Sequence, residues 1–95
     1  MHASDDEEQV AGLALIEAIE SQLASGTPPA TQAVYNKLSL VGYEREEILQ
    51  LMALVLADEV REMLSGDRPF DGERYERLLR ALPELPDEAD GNEST

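Results

Sequence analysis

Leu51-Met52-Ala53-Leu54-Val55-Leu56-Ala57 is an unbroken apolar run, and its reading decides the fold. A run of this length suits a buried strand or a buried stretch of helix, and periodicity alone does not separate the two. Composition does. Only Val55 is β-branched, no Gly or Pro lies close by, and helix-forming sequence flanks both sides (REEILQ before, DEVREML after). The run therefore belongs to a long helix from about Glu44 to Ser65. A helix that is apolar all round is buried all round. This one is expected to be the central element, sheathed on nearly all sides by its neighbours, in one chain or in two. Glu44 is a poor cap, but Tyr43 and Ile48 stand where a hydrophobic staple would. Gly66 is expected to end the helix.

Upstream lie two shorter helices. The first opens at Ser4, which with Glu7 forms a capping box. Asp5, Asp6, Glu7 and Glu8 then sit at the positive end of the helix dipole. Leu13, Ile16, Ile19 and Leu23 form its apolar stripe, and Gly26 closes it as a left-handed cap with Pro28 and Pro29 beyond. The second helix begins there, with Thr27 as cap and Pro28 at the first helical position, where a missing amide costs nothing. Its stripe is Ala30, Val34, Leu38 and Val41, and Gly42 closes it.

Downstream, Asp71 caps a fourth helix, with Phe70 and Tyr75 as a second staple. Tyr75, Leu78, Leu79 and Leu82 form its stripe, and Pro83 stops it. Short joints between four amphipathic segments predict an all-α fold, a compact four-helix bundle with a long central third helix. Residues 4–83 make one domain. Residues 84–95, ELPDEADGNEST, are acidic and nearly without large apolar groups, the composition of a disordered tail.

The 95 residues carry 21 acidic and 7 basic side chains, for a net charge of −14. Such a field repels phosphate backbones and anionic lipid surfaces, so neither nucleic acid nor membrane is an expected partner. No stretch approaches the ~18 uncharged apolar residues of a membrane span. The N-terminus has no basic region ahead of an apolar run, unlike a secretory signal. A cytoplasmic location is the expectation. No cysteine is present, which excludes disulfides and thiolate chemistry. Without cysteine or a well-placed histidine, the usual activated nucleophiles have no base. The glycines are isolated, not clustered as in a phosphate loop.

Two carboxylates stand in odd places. Gly12, Ile16, Glu20 and Leu23 share one row of the first helix, which sets Glu20 on the face that should meet the core. Glu59 follows Val55 and Leu56 by four and three residues and precedes Met63 by four, so it too lies on an apolar face. A buried carboxylate needs a cation, a donor or a proton. Facing helices could join Glu20 and Glu59, with Glu46, into a metal or acid–base site, as carboxylate bundles do. The preferred reading is plainer: a helix-edge residue reaching water, or a salt bridge to an arginine. The Glu-x-x-Glu pairs (Glu17 with Glu20, Glu44 with Glu47, Glu59 with Glu62) share helix sides, but the sole histidine, His2, cannot complete a metal site. Gly12 inside a helix costs ~1 kcal/mol against Ala, which close approach of another helix would explain. Arg74, Arg77 and Arg80 form a basic stripe, read as intrachain pairs of Glu73 with Arg77 and Glu76 with Arg80.

Several segments in order (IEAIESQLASGTPP, then a glycine-ended helix, then REEILQLMALVLADEVREML, then GERYERLLRAL) resemble small uncharacterised bacterial helical proteins. These are the domain-of-unknown-function family numbered eighteen forty-one, and the likeness spans roughly residues 10 to 83. The resemblance implies a His-x-x-x-His pair on each of the first and third helices. Those positions here are Gly12 and Ile16, then Glu46 and Gln50, so all four histidines are replaced. A member of that family with this sequence would have lost its metal site, and no cofactor is expected.

The reading as a whole is a non-catalytic helical interaction or structural module. The long apolar run, with Leu40 and Val41 beside Tyr43, offers more apolar surface than three short helices cover, which motivates a homodimer. The alternatives are a degenerate metal-binding bundle using Glu20, Glu59 and Glu46, and an acidic protein that binds a basic protein partner.

Overall fold

The computed structural model describes residues 3–86, and side chains from Gly12 onward. The chain folds as four helices: α1 (Ala3–Ser25), α2 (Pro29–Leu40), α3 (Arg45–Gly66) and α4 (Gly72–Ala81). Among the described residues there is no strand, and the helices pack on one another as an all-α four-helix bundle. The acidic tail is expected from Glu84 onward; residues 84–86 are described, with the Glu84 amide donating to the Ala81 carbonyl at 3.0 Å, and the rest lies outside the described residues. So do the side chains of the Ser4–Glu7 capping box. Among the described residues no helix is long and apolar enough to cross a membrane.

The α3 helix touches each of the other three, most extensively α1. Its Ile48, Leu49, Met52, Ala53, Val55 and Leu56 are buried, and they meet Ile19 of α1, Ala30, Val34 and Leu38 of α2, and Tyr75 and Leu79 of α4. The sheath is not complete. Leu54 is 53% exposed and Leu64 70% exposed, with Leu51 and Ala57 half-buried. Three covering helices occupy one broad side of α3 and leave the Leu54 edge partly exposed, with Leu85 and Pro86 beside it across a small cleft. Two further expected core positions also face out. Leu13 and Val41 are exposed, Leu13 lying off the Ile19 face of its helix and Val41 lying past the end of α2.

Local chemistry sets the helix ends. Gly26 takes φ +75° and its amide donates to the Gln22 carbonyl at 2.8 Å, as the glycine signal predicts. Helix α2 starts one residue later than expected. Pro28, extended at φ −75° and ψ 154°, is the N-cap in place of Thr27, and Pro29 is the first helical residue. Two consecutive prolines need no amide partners, and the first holds Thr27 away from helical backbone. At the start of α3, Glu44 is a better cap than its side chain alone suggests, because its amide donates to Glu47 Oε1 at 3.0 Å. The far end is capped not by Gly66, which stays helical, but by Asp67 at φ 52°. Aspartate tolerates that left-handed conformation better than most side chains. Asp71 caps α4 by accepting from the Arg74 amide at 3.0 Å. Phe70 meets Tyr75 edge-on with centroids 5.5 Å apart, which realises the expected staple.

One polar knot ties three helices inside this packing. The hydroxyls of Thr31 (α2) and Tyr75 (α4) both donate to Gln22 Oε1 (α1), at 2.7 and 3.0 Å. Thr31 and Tyr75 are buried, so the shared acceptor relieves two desolvated hydroxyls at once.

Candidate functional site

Glu59 is fully buried on α3, which its apolar neighbours in sequence raise but do not decide. Its two oxygens receive four donors. Arg68 gives Nη1 to Oε2 at 2.7 Å and Nη2 to Oε1 at 3.1 Å. Arg74 gives Nη1 to Oε1 at 2.7 Å, and the Asp71 amide donates to Oε2 at 2.7 Å. A carboxylate has about four lone-pair directions, so Glu59 is saturated. Arg74 also donates Nη2 to Oδ2 of buried Asp58 at 2.6 Å, and Arg61 donates to Asp58 Oδ1 at 2.7 Å. The Arg68 hydrogen bond, helped by the Asp71 amide and by Arg74, outweighs burial and lowers the Glu59 carboxyl to about 2. The α3–α4 joint is thus closed by a charge cluster. Arg68 follows the α3 cap, Asp71 caps α4, and Arg74 lies one turn into α4.

The sequence leaves a cation, a hydrogen-bond donor, a proton or water open for Glu59, and the structure supplies two arginines and the Asp71 amide. Arg74 was read as part of an outward stripe with Arg77 and Arg80. It turns inward instead, because one turn after the Asp71 cap α4 still lies against the Glu59 end of α3. The expected pairing of Arg80 with Glu76 is present as a loose 3.9 Å contact.

Glu20 lies elsewhere. It is exposed and pairs with Arg45 Nη2 at 3.4 Å, which is the plainer reading of it: a helix-edge carboxylate that reaches water and an arginine. The reason is helical precession. Each four-residue step turns about 40° beyond a full circle, so Glu20 stands a further step round from Ile16 and leaves the face on which Ile16, Ile19 and Leu23 pack. Glu20 and Glu46 border one cleft with Ile16, Arg45, Leu49 and Gln50, whereas Glu59 belongs to the α3–α4 joint. Arg45 also lies 5.9 Å over the Tyr35 ring. Among the described residues no group of three His, Cys, Asp or Glu side chains is placed to hold a metal ion.

The α1–α3 seam is where the remaining marked positions meet. Gly12, Leu15 and Ile16 of α1 face Gln50, Ala53, Leu54 and Ala57 of α3 across one cleft. That cleft continues into an open apolar groove of about 700 Å³ between Ala14 and Leu15 on one side and Ala57, Val60, Arg61 and Leu64 on the other. Gly12 does not admit a neighbouring helix, since a Cβ built there meets nothing within 4 Å. It leaves room instead of filling it. Of the four positions at which the resembled family has histidine, Gly12, Ile16 and Gln50 line one cleft, and Ile16, Glu46 and Gln50 line the next.

Compared with protein-family models, with curated proteins and with solved structures, the chain matches none.

Proposed function

We propose that this protein is a non-catalytic helical module that docks another apolar surface along the exposed edge of α3. The observation that carries the reading is the exposure of Leu54 and Leu64 on the most apolar helix of the bundle, beside the groove floored by Ala57. Contiguous exposed apolar surface of this kind marks an interaction site. The buried carboxylate supports the non-catalytic part. Four donors already occupy Glu59, and its lowered pKa makes it a weak base at neutral pH.

A photo-crosslinking residue placed at Leu54 tests the docking, with Asn36 on the outer face of α2 as control. Discrete adducts in expressing cells from position 54 and not from 36, lost on adding Leu64→Glu, are the expected result. Equal adducts from both positions, or none from 54, would end the reading.

A second reading is favoured by one observation, the gathering of Gly12, Ile16, Glu46 and Gln50 along the α1–α3 seam. It supports kinship with the eighteen forty-one family through a member whose histidine positions still converge but no longer carry ligands. In that reading the seam is a vacated site, and Glu20 and Glu46 are carboxylates at its rim.

A further inference from the structure

We infer that the segment after α4 is a strap over the docking edge of α3: Leu85 seats on Leu54, and a partner gains that edge by lifting the segment away. The inference rests on the docking reading and adds its regulation.

The course of the chain sets up the strap. Leu82 caps α4 and is buried in the core, its amide donating to the Leu79 carbonyl at 3.0 Å. Pro83 cannot continue the helix, and the Glu84 amide turns back to the Ala81 carbonyl at 3.0 Å. Leu85 and Pro86 then reach α3, where they line one small cleft of about 90 Å³ with Leu54, Ala57, Asp58 and Arg61. Pro83 and Pro86 stiffen the segment, so little backbone freedom is lost when it closes.

Two observations make this a strap and not a piece of the core. First, Leu85 is 46% exposed and Leu54 53% exposed, and both border that cleft. Leucines covered only in part gain only part of what full burial gives, so the contact holds the segment without locking it. Leu82, almost wholly buried, is the fixed end, and Leu85 is the end that lifts. Second, Ala57 and Arg61 line both this cleft and the apolar groove that leads to Leu64. The strap therefore sits at the Leu54 end of the surface a partner would cover, and strap and partner cannot both hold Leu54.

Charge and tethering favour the same occupant. The residues after Pro86 are Asp87 and Glu88, and the cation lining the cleft is Arg61, whose side chain is 52% exposed. A segment of the same chain also meets the edge at an effective concentration on the order of millimolar. An external partner has to outbid that concentration before it docks.

The chain has no native cysteine, so placed thiols report contacts within it. In the full chain, Leu54→Cys with Leu85→Cys should close an intrachain disulfide under mild oxidant several-fold faster than Leu64→Cys with Leu85→Cys. Equal rates would overturn the seating of Leu85 on Leu54. A photo-crosslinking residue at Leu64 then reads the competition in cells. Leu85→Ser is expected to raise the adduct yield several-fold, with helix content by circular dichroism unchanged. An unchanged yield would overturn the competition and leave the docking reading intact. No adducts in either background, with rapid closure of the 54–85 pair, would overturn docking and its regulation together and leave the segment as a fixed cover.

Discussion

Arg68 reaches back nine residues to grip both oxygens of Glu59, at 2.7 and 3.1 Å, from just beyond the left-handed turn at Asp67. That pair closes the α3–α4 joint over a carboxylate with no solvent exposure, and Arg74 completes it from α4. The bundle therefore divides its functions by face. One side of α3 is locked by charge and core packing, and the adjoining edge keeps Leu54 and Leu64 exposed, with Arg61 linking the two through Asp58.

Removing the Glu59 charge takes the carboxylate partner from Arg68 and leaves Arg74 with Asp58 alone. Breaking one side of a buried ion pair costs about 3–5 kcal/mol, and partial exposure of both arginines reduces this. Glu59→Gln is expected to lose on the order of 2–3 kcal/mol in urea unfolding. A double-mutant cycle with Arg74→Met should show strong coupling. Independent effects of the two substitutions would mean that the cluster is ornamental.

The same carboxylate makes stability pH-dependent. Its folded pKa is lowered to about 2 from an ordinary value of 4.5. A depressed folded value means that the unfolded chain takes up protons first as pH falls. The Glu59 contribution is thus fully present above pH 4.5 and is lost between about 4.5 and about 2. Melting temperature in wild type should fall across that window more steeply than in Glu59→Gln. Parallel curves for the two proteins would refute the assignment.

The Gln22 knot gives a smaller effect. Tyr75→Phe removes one of two hydroxyls that share Gln22 Oε1 while keeping the ring. A loss of about 1 kcal/mol is expected. Thr31→Val in the same background should not add its full single-mutant cost, because both hydroxyls address one acceptor. Strict additivity in chemical denaturation would argue against the shared bond.

Kinship through the α1–α3 seam can be tested by restoring what it lacks. The four-fold variant Gly12→His, Ile16→His, Glu46→His and Gln50→His should bind zinc or nickel in calorimetry and melt higher with metal than with chelator. Variants carrying only the α1 pair or only the α3 pair should bind more weakly. No metal binding by the four-fold variant would remove the support that the convergence gives.

Helix count, order and most joints were legible in the sequence because local signals and long-range packing agree there: Gly26, Asp71, the Phe70–Tyr75 staple and the apolar run each point to the structure formed. Glu59 was legible as an acid on an apolar face, with burial beside a partner and access to water both open to it. Its partners were not, because the αL turn at Asp67 and the direction of Arg74 are set by how α4 docks, which no local pattern carries. Glu20 fits the plainer of its two readings, an edge carboxylate paired with an arginine, although which arginine is set by how α1 meets the start of α3. The exposed Leu54 edge was hidden for a related reason. An apolar run states how much surface needs cover, not whether one chain supplies it.

Fluorescence of a neutral apolar dye such as Nile red addresses the exposed edge of α3 most directly. A neutral probe is not repelled by a chain of net charge −14, as an anionic dye would be. Wild type should bind and brighten the dye, and Leu54→Lys should brighten it far less with its helix content unchanged. A wild-type protein that leaves the dye dark, or a Leu54→Lys variant that brightens it equally well, would contradict the account.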